Sequence, residues 1–278
     1  MTGRGVMGWW AVLRGVGTLI AQANLSLIAA GVAFFGMLAL FPAVSAIVAL
    51  WGLVSDPDIV SAQLDLMRDI MPAEVFALIS ARITGLAAAE STTLSWAGGL
   101  SLVLALWSAR AGVGALVRGL NAVHGVPSRG GLRHMLTALI LTGLLVVVAL
   151  VALASVVIAP VVLQFLPLGP LTSLMVEIMR WIAAIGVMLA GLGLVYRYGP
   201  NLPETRAPWM TPGAVLAVLV WVGASAAFSI YLSNFGNYNE IYGSIGAAIA
   251  LLMWLYLSAF LILIGAAVNV ELTRAAAA

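Results

Sequence analysis

The side chains of this chain that could do chemistry are few and form no catalytic constellation. The only histidines, His124 and His134, lie in one arginine-containing segment, without a carboxylate at metal-ligand spacing. Cysteine is absent, which excludes disulfides, thiol nucleophiles and cysteine metal sites. No metalloprotease, serine-hydrolase or phosphate-loop motif occurs. We therefore predict that the protein is not an enzyme and has no catalytic residue, metal or cofactor.

One arginine lies inside an apolar segment, where a charge indicates function by default. Arg110 offers up to five donors to a phosphate or a carboxylate. Its side chain could instead extend toward the inner headgroups, and both interpretations stay open. The flanking Ser108 and Gly112 form a small-xxx-small pair, which predicts close contact with another helix.

Two further groups of residues are candidates, and both are predicted at the outer face of the membrane. Glu177 and Arg180 are one helical turn apart, which predicts a local ion pair, with a headgroup site as the alternative. The segment from Tyr231 to Ser244 is rich in aromatic and amide residues and is predicted to be an ordered, tightly packed turn. The alternative is an ordinary aromatic belt contributed by Tyr231, Phe235, Tyr238 and Tyr242. Gly243 and Gly246 then predict close helix approach.

These side chains must be positioned by membrane-spanning helices. The chain is 63% hydrophobic and 8% charged, whereas soluble domains carry about 25% charged residues. Stretches of about 20 apolar residues span a bilayer, and a spanning segment must satisfy its own backbone hydrogen bonds. We predict an all-α polytopic membrane protein with six transmembrane helices, over residues 26–54, 94–116, 135–163, 176–196, 212–233 and 242–270.

The remaining segments have their own patterns. Residues 1–24 are predicted to be a cytoplasmic interfacial segment, amphipathic over 3–22, in which Trp9 and Trp10 lie at the headgroup level. The loop 55–93 is predicted to form amphipathic helices, with Pro72 at the start of the second. Pro42 lies within the first span and predicts a kink. The six-helix domain covers 25–274 and the tail 275–278.

The arginines are sorted by the segment in which they lie. Eight fall in the termini and the even-numbered connections, and only Arg68 and Arg82 fall on the other side. The positive-inside rule therefore predicts cytoplasmic termini and a periplasmic 55–93 loop. The eight are Arg4, Arg14, Arg118, Arg129, Arg133, Arg197, Arg206 and Arg274.

Residues spread over 25–272 resemble the YihY/virulence factor BrkB family, once called ribonuclease BN. They are Leu40-Phe41-Pro42, Leu106-Trp107-Ser108, Gly119-Leu120-Asn121, Tyr196, Pro200, Pro212-Gly213-Ala214, Trp221, Phe228, Tyr231, Tyr238, Tyr242-Gly243-Ser244, Trp254-Leu255-Tyr256, Gly265-Ala266 and Asn269. The family typically has Glu where this chain has Ala267. If that Glu matters, the protein does without it or Glu271, one turn on, serves instead.

The resemblance implies a bacterial inner-membrane protein of six spans that handles envelope lipids, lipid A included, or contributes to serum resistance. We predict a transporter or flippase of a lipidic or anionic envelope substrate. The alternatives are a non-transporting scaffold and, more remotely, a ribonuclease. The expected partners are membrane lipids such as lipid A or phospholipid, no nucleic acid, and a second copy or an envelope protein. Candidate lipid- or substrate-binding residues are Arg110, Asn121, Glu177, Arg180, Tyr231, Tyr238, Tyr242, Ser244 and Asn269.

Overall fold

A computed structural model describes residues 3–54, 91–153, 170–202, 207–234 and 238–277. This part of the chain forms seven α-helices and contains no strand. The helices are α1 (Gly3–Gln22), α2 (Leu25–Val54), α3 (Ser91–His124), α4 (Gly131–Leu153), α5 (Pro170–Tyr198), α6 (Pro212–Asn234) and α7 (Tyr238–Ala277).

Helices α2 to α7 are each long and apolar enough to span a membrane, which confirms the predicted all-α fold with six spans. Their outer faces carry large apolar side chains, such as Ile140, Ile182 and Leu219, that are more than half exposed. Such faces are unfavourable in water but suit lipid. In lipid the backbone N–H and C=O groups have no water to bond with, and a helix satisfies their hydrogen bonds internally.

The helix that contains the second span extends beyond the predicted 94–116 at both ends, although the candidate span itself begins at Gly98. Helix α3 begins at Ser91 and continues past Leu116 to His124, because Leu116, Leu120 and Val123 recur on one face and are buried in the core. The helix ends in a Schellman motif at Gly125, whose φ of +66° favours glycine. In that motif the Gly125 amide donates to the Ala122 carbonyl and the Val126 amide to that of Asn121.

The connection from α6 to α7 is also more helical than predicted. We expected a turn over residues 231–244, but α6 continues to Asn234 and α7 begins at Tyr238. The aromatic residues of this segment recur at intervals of four, three and four residues, which suits a helix face as well as a turn. Residues 235–237 and the predicted amphipathic helices over 55–90 lie outside the described residues.

The chain divides into two compact units, residues 1–33, 110–235 and 253–278 in one and 34–109 and 236–252 in the other. In the second unit, α2 stays helical through Pro42, and the rings of Phe34 and Phe35 meet edge to face at 5.4 Å. Gly246 is buried and Ser108 is half-buried.

The first unit holds the main apolar core. Its buried side chains come from α1, the start of α2, α3, α5, α6 and the end of α7. Helix α1 covers the range predicted for the N-terminal helix and buries Val12, Val16 and Leu19, one turn apart, in this core. Asn24 joins α1 to α2 with a φ of +49°, a conformation that asparagine tolerates better than most residues. Helix α1 is therefore packed on protein along one face.

Candidate functional site at the arginine-rich end

The ends of α3, α5 and α7 meet the starts of α4 and α6 at one end of the first unit. Arg129, between α3 and α4, joins them: its Nη1 donates to the Gly199 carbonyl at 2.6 Å and its Nη2 to the Pro200 carbonyl at 2.7 Å. A cation suits these carbonyls because they follow the negative end of the α5 dipole. Burial lowers the pKa of Arg129.

Asn121 lies beneath the same junction and is 1% exposed. Its Oδ1 accepts the backbone N–H of Asn201 at 2.7 Å, and the Asn201 Nδ2 donates to the Pro127 carbonyl at 3.1 Å. The Asn121 Nδ2 is buried and has no hydrogen-bond partner among the described residues. Asn121, a predicted binding candidate, thus ties the α3–α4 connection to the segment after α5.

Asn269 makes the corresponding connection from α7 to the start of α6. Its Oδ1 accepts the Gly213 N–H at 2.7 Å, and its Nδ2 donates to the Thr211 Oγ1 at 2.9 Å. Thr211 is also the N-cap of α6, because its Oγ1 accepts the Ala214 N–H at 3.1 Å. Pro212 follows at the first helical position, where its missing N–H costs nothing.

Beside Asn269, the backbones of α6 and α7 come close together, and a side chain of α5 reaches α7. The Tyr196 hydroxyl of α5 donates to the Ile262 carbonyl of α7 at 2.6 Å. A Cβ atom on Gly265 would overlap this hydroxyl and the Gly213 carbonyl, and it would lie 2.9 Å from the Cβ of Ala217. The crossing of α6 and α7 therefore requires glycine at 213 and 265.

Farther along the same two helices, tryptophan side chains make the contacts. Trp221 Nε1 donates to the Ser258 Oγ at 2.8 Å, and that hydroxyl donates to the Trp254 carbonyl at 2.8 Å. The two indole rings meet edge to face at 5.6 Å. Several residues that carry the family resemblance are thus packing residues of the α6–α7 pair.

A second cluster, the α3–α4 arginine cluster, consists of Arg110, Arg118, Arg129 and His134. Arg118 Nη1 lies 3.3 Å from His134 Nε2, and a hydrogen bond there requires neutral His134 with its proton on Nδ1. The positive charges of Arg118, Arg129 and Arg110 all act on His134. Gly114 allows the approach, since a Cβ there would lie 3.3 Å from His134 Nε2. Arg110 is half-buried, and its neighbour Gly112 is buried.

The part His134 plays in this cluster was missed from the sequence. The available signal was that it shares a segment with Arg129 and Arg133, but nothing in that segment shows that α4 turns His134 toward Arg118.

The other predicted candidates lie elsewhere. Arg180 Nη2 meets Glu177 Oε1 at 2.5 Å, so the predicted local ion pair is present, and Trp181 Nε1 donates to the same oxygen at 2.9 Å. This exposed group lies about 30 Å along α5 from its arginine-rich end. Tyr231 is exposed, with its ring stacked on Phe228 at 6.2 Å. Of four further candidates the structure describes only the helical backbone, and these are Tyr238, Tyr242, Gly243 and Ser244.

The position at which the family typically has Glu is buried here. Ala267 has no exposed surface and lies in the apolar core, where an unpaired carboxylate would be costly. Glu271, one turn on, pairs with Arg274 at 2.6 Å and lies against α1 at Gly15, where any Cβ would overlap its carboxylate. Glu271 therefore faces the N-terminal helix. No cluster of three or more acids or histidines suited to a metal occurs within the described ranges.

Comparison with known proteins places the whole arrangement in one family. Residues 18–278 match the family described as virulence factor BrkB. The ribonuclease-like protein YfkH of Bacillus subtilis (strain 168) is 32% identical over 255 residues, which cover 88% of this chain and 89% of YfkH. A UPF0761 membrane protein of Tolumonas auensis is 33% identical over 92 residues, 33% of this chain and 29% of that protein.

A UPF0761 membrane protein of Xanthomonas oryzae pv. oryzae is 36% identical over 94 residues, 31% of this chain and 22% of that protein. The matches to these two UPF0761 proteins thus span less than a third of their length. No solved structure matches the chain. The family match covers nearly the full length, including the α5–α6–α7 junction and the α3–α4 arginine cluster, and the chain is a member of the virulence factor BrkB family.

Proposed function

We propose that the protein is a bacterial inner-membrane transporter or flippase, with no catalytic step, for a lipidic or anionic envelope substrate. The observation that supports it is the half-buried Arg110 inside a spanning helix, grouped with Arg118, Arg129 and His134 at the arginine-rich end. Intramembrane cations are costly and mark substrate paths in membrane proteins. A guanidinium at this depth can attract an anionic headgroup from the adjoining leaflet.

The orientation is part of the proposal, with both termini and the arginine-rich end in the cytoplasm. The eight-to-two sorting of arginines supports it. The chain has no cysteine, so single-cysteine variants test it cleanly. Ala89→Cys should react with an impermeant maleimide in spheroplasts, and Ser128→Cys should react only after the membrane is opened. The opposite labelling pattern would reverse the orientation.

Transport is tested with the purified protein in vesicles. Wild type, Arg110→Lys and Arg110→Ala are reconstituted at matched insertion, and movement of fluorescent phospholipids between leaflets is measured with and without an ion gradient. Lysine keeps the charge but loses the planar fork, so we expect transport to fall in both variants. Equal transport in all three proteins would remove Arg110 from the substrate path.

A non-transporting membrane scaffold is the second candidate. It is favoured by the junction contacts of Asn121, Asn269 and Tyr196, which join backbone segments of the protein to one another. In that case wild-type protein moves no lipid under any gradient, while variants of these junction residues lower its stability.

A further inference from the structure

We infer that the α3–α4 arginine cluster is a binding site for a phosphate group. This inference takes its substrate context from the proposed function and adds the chemical group that is recognised. Three guanidinium charges, those of Arg110, Arg118 and Arg129, act on one imidazole. Like charges held together repel one another, and an anion among them would relieve the repulsion.

The described acids do not supply that anion. Among the described residues at the arginine-rich end, Glu271 is the carboxylate present, and it pairs with Arg274 at 2.6 Å. Glu204 lies in the segment 203–206, outside the described part. The charges that act on His134 are all arginines. The cluster thus carries a local excess of positive charge.

The donor geometry suits phosphate better than a carboxylate. Arg118 is exposed and spends one donor on His134, and Arg129 spends two on the Gly199 and Pro200 carbonyls. Each guanidinium carries five donors, so each keeps others to offer. A carboxylate carries a single negative charge, whereas a phosphate monoester carries nearly two and has three acceptor oxygens to share among several guanidinium groups.

The start of α4 leaves room next to Arg129. Gly130 and Gly131 are exposed, and a Cβ at either would meet no described atom within 4 Å. Arg129 is anchored to the α5 end, while Arg118 is exposed and its described contact is the 3.3 Å approach to His134. Arg118 is therefore the member that can turn toward a ligand while the contacts of Arg129 with the end of α5 stay in place.

The test measures thermal stabilisation of the full chain in detergent by phosphate-bearing probes, since a ligand that binds the folded state raises its melting temperature. The probes are inorganic phosphate, phosphatidic acid and, as the zwitterionic comparison, phosphatidylcholine. We expect phosphatidic acid or inorganic phosphate to stabilise wild type and phosphatidylcholine not to. Stabilisation by inorganic phosphate identifies a free phosphate as sufficient, and stabilisation by phosphatidic acid alone identifies a lipid headgroup.

Arg118→Gln and Arg133→Gln form a matched pair. Both side chains are exposed, and both changes remove one charge from the same end, but it is Arg118 whose Nη1 lies 3.3 Å from His134 Nε2. We expect Arg118→Gln to weaken probe binding roughly tenfold or more, with a melting temperature in the absence of probe that is no lower than that of wild type, and Arg133→Gln to bind as wild type does. Arg110→Gln should weaken binding in the same way.

Two results would overturn the site: wild type that responds to neither anionic probe, or equal weakening by Arg118→Gln and Arg133→Gln, which would mean diffuse surface charge. Phosphate binding without lipid movement in vesicles keeps the site and rejects transport. Lipid movement that survives Arg118→Gln, in a protein that binds no phosphate probe, keeps transport and rejects the phosphate site.

Discussion

Replacement of Gly213 by alanine should separate helices α6 and α7 where they cross. The new methyl group would overlap the Gly265 carbonyl and the Asn269 side chain. Neither neighbour can easily retreat, because Gly265 also meets the Tyr196 hydroxyl and Asn269 is bonded to Thr211 at 2.9 Å. The strain must therefore move a helix backbone instead of a flexible side chain.

The size of the effect follows from two terms. Overpacking a close contact costs about 1–3 kcal/mol. Displacement of Asn269 also weakens its 2.7 Å bond to the Gly213 N–H, and a buried donor left unpaired costs about 1–3 kcal/mol. The two terms overlap, so we expect a loss of about 2–4 kcal/mol in the free energy of unfolding.

Gly223, on the same helix, is the matched control. A Cβ there meets nothing within 4 Å, so Gly223→Ala should be neutral or stabilising by up to about 1 kcal/mol through helix propensity. The assay is reversible denaturation in mixed micelles, followed by circular dichroism. Gly265→Ala should also destabilise, and the double variant should lose less than the sum because both methyl groups act on one crossing. If Gly213→Ala and Gly223→Ala unfold alike, the close crossing is not present.

Further predictions concern the junction contacts and use the same denaturation assay. Asn269→Leu keeps the branched shape but loses bonds of 2.7 and 2.9 Å, and it should lower the free energy of unfolding by about 2–3 kcal/mol; a wild-type value would mean that α6 is capped without it. Arg129→Gln should cost about 2–4 kcal/mol by releasing two carbonyls, whereas Arg133→Gln should cost almost nothing. Trp221→Phe should cost about 1 kcal/mol, and Ser258→Ala combined with it should add little.

The features that the sequence predicted correctly depend on near neighbours along the chain. Spanning helices follow from runs of apolar residues, because a backbone in lipid can bond only within its own segment. The Glu177–Arg180 ion pair follows from helical spacing alone and forms at 2.5 Å. The same logic was less successful at helix ends. Apolar residues past Leu116 and aromatic residues after Tyr231 suit a helix as well as the interfaces to which we had assigned them.

The polar candidates owe their roles to tertiary structure. Asn121 accepts from an amide 80 residues away, Arg129 donates to a carbonyl 70 residues away, and Asn269 reaches back 56 residues to Gly213. Each looked like a binding residue or a topological signal in the sequence, since no periodicity within one helix shows which backbone group lies opposite in the packed bundle. By the same reasoning, only packing shows that Ala267 is buried and that Glu271 faces α1.

The α3–α4 arginine cluster combines both kinds of information. The sequence alone determined that Arg110 lies within an apolar span and that arginines gather on one side, because a charge in lipid is unfavourable wherever the helix packs. Only the tertiary structure decided that Arg118 meets His134 at 3.3 Å and that Arg110 and Arg129 act on the same imidazole. Their convergence depends on the alignment of α3 with α4, which is set by helix packing around Gly114 rather than by any local pattern.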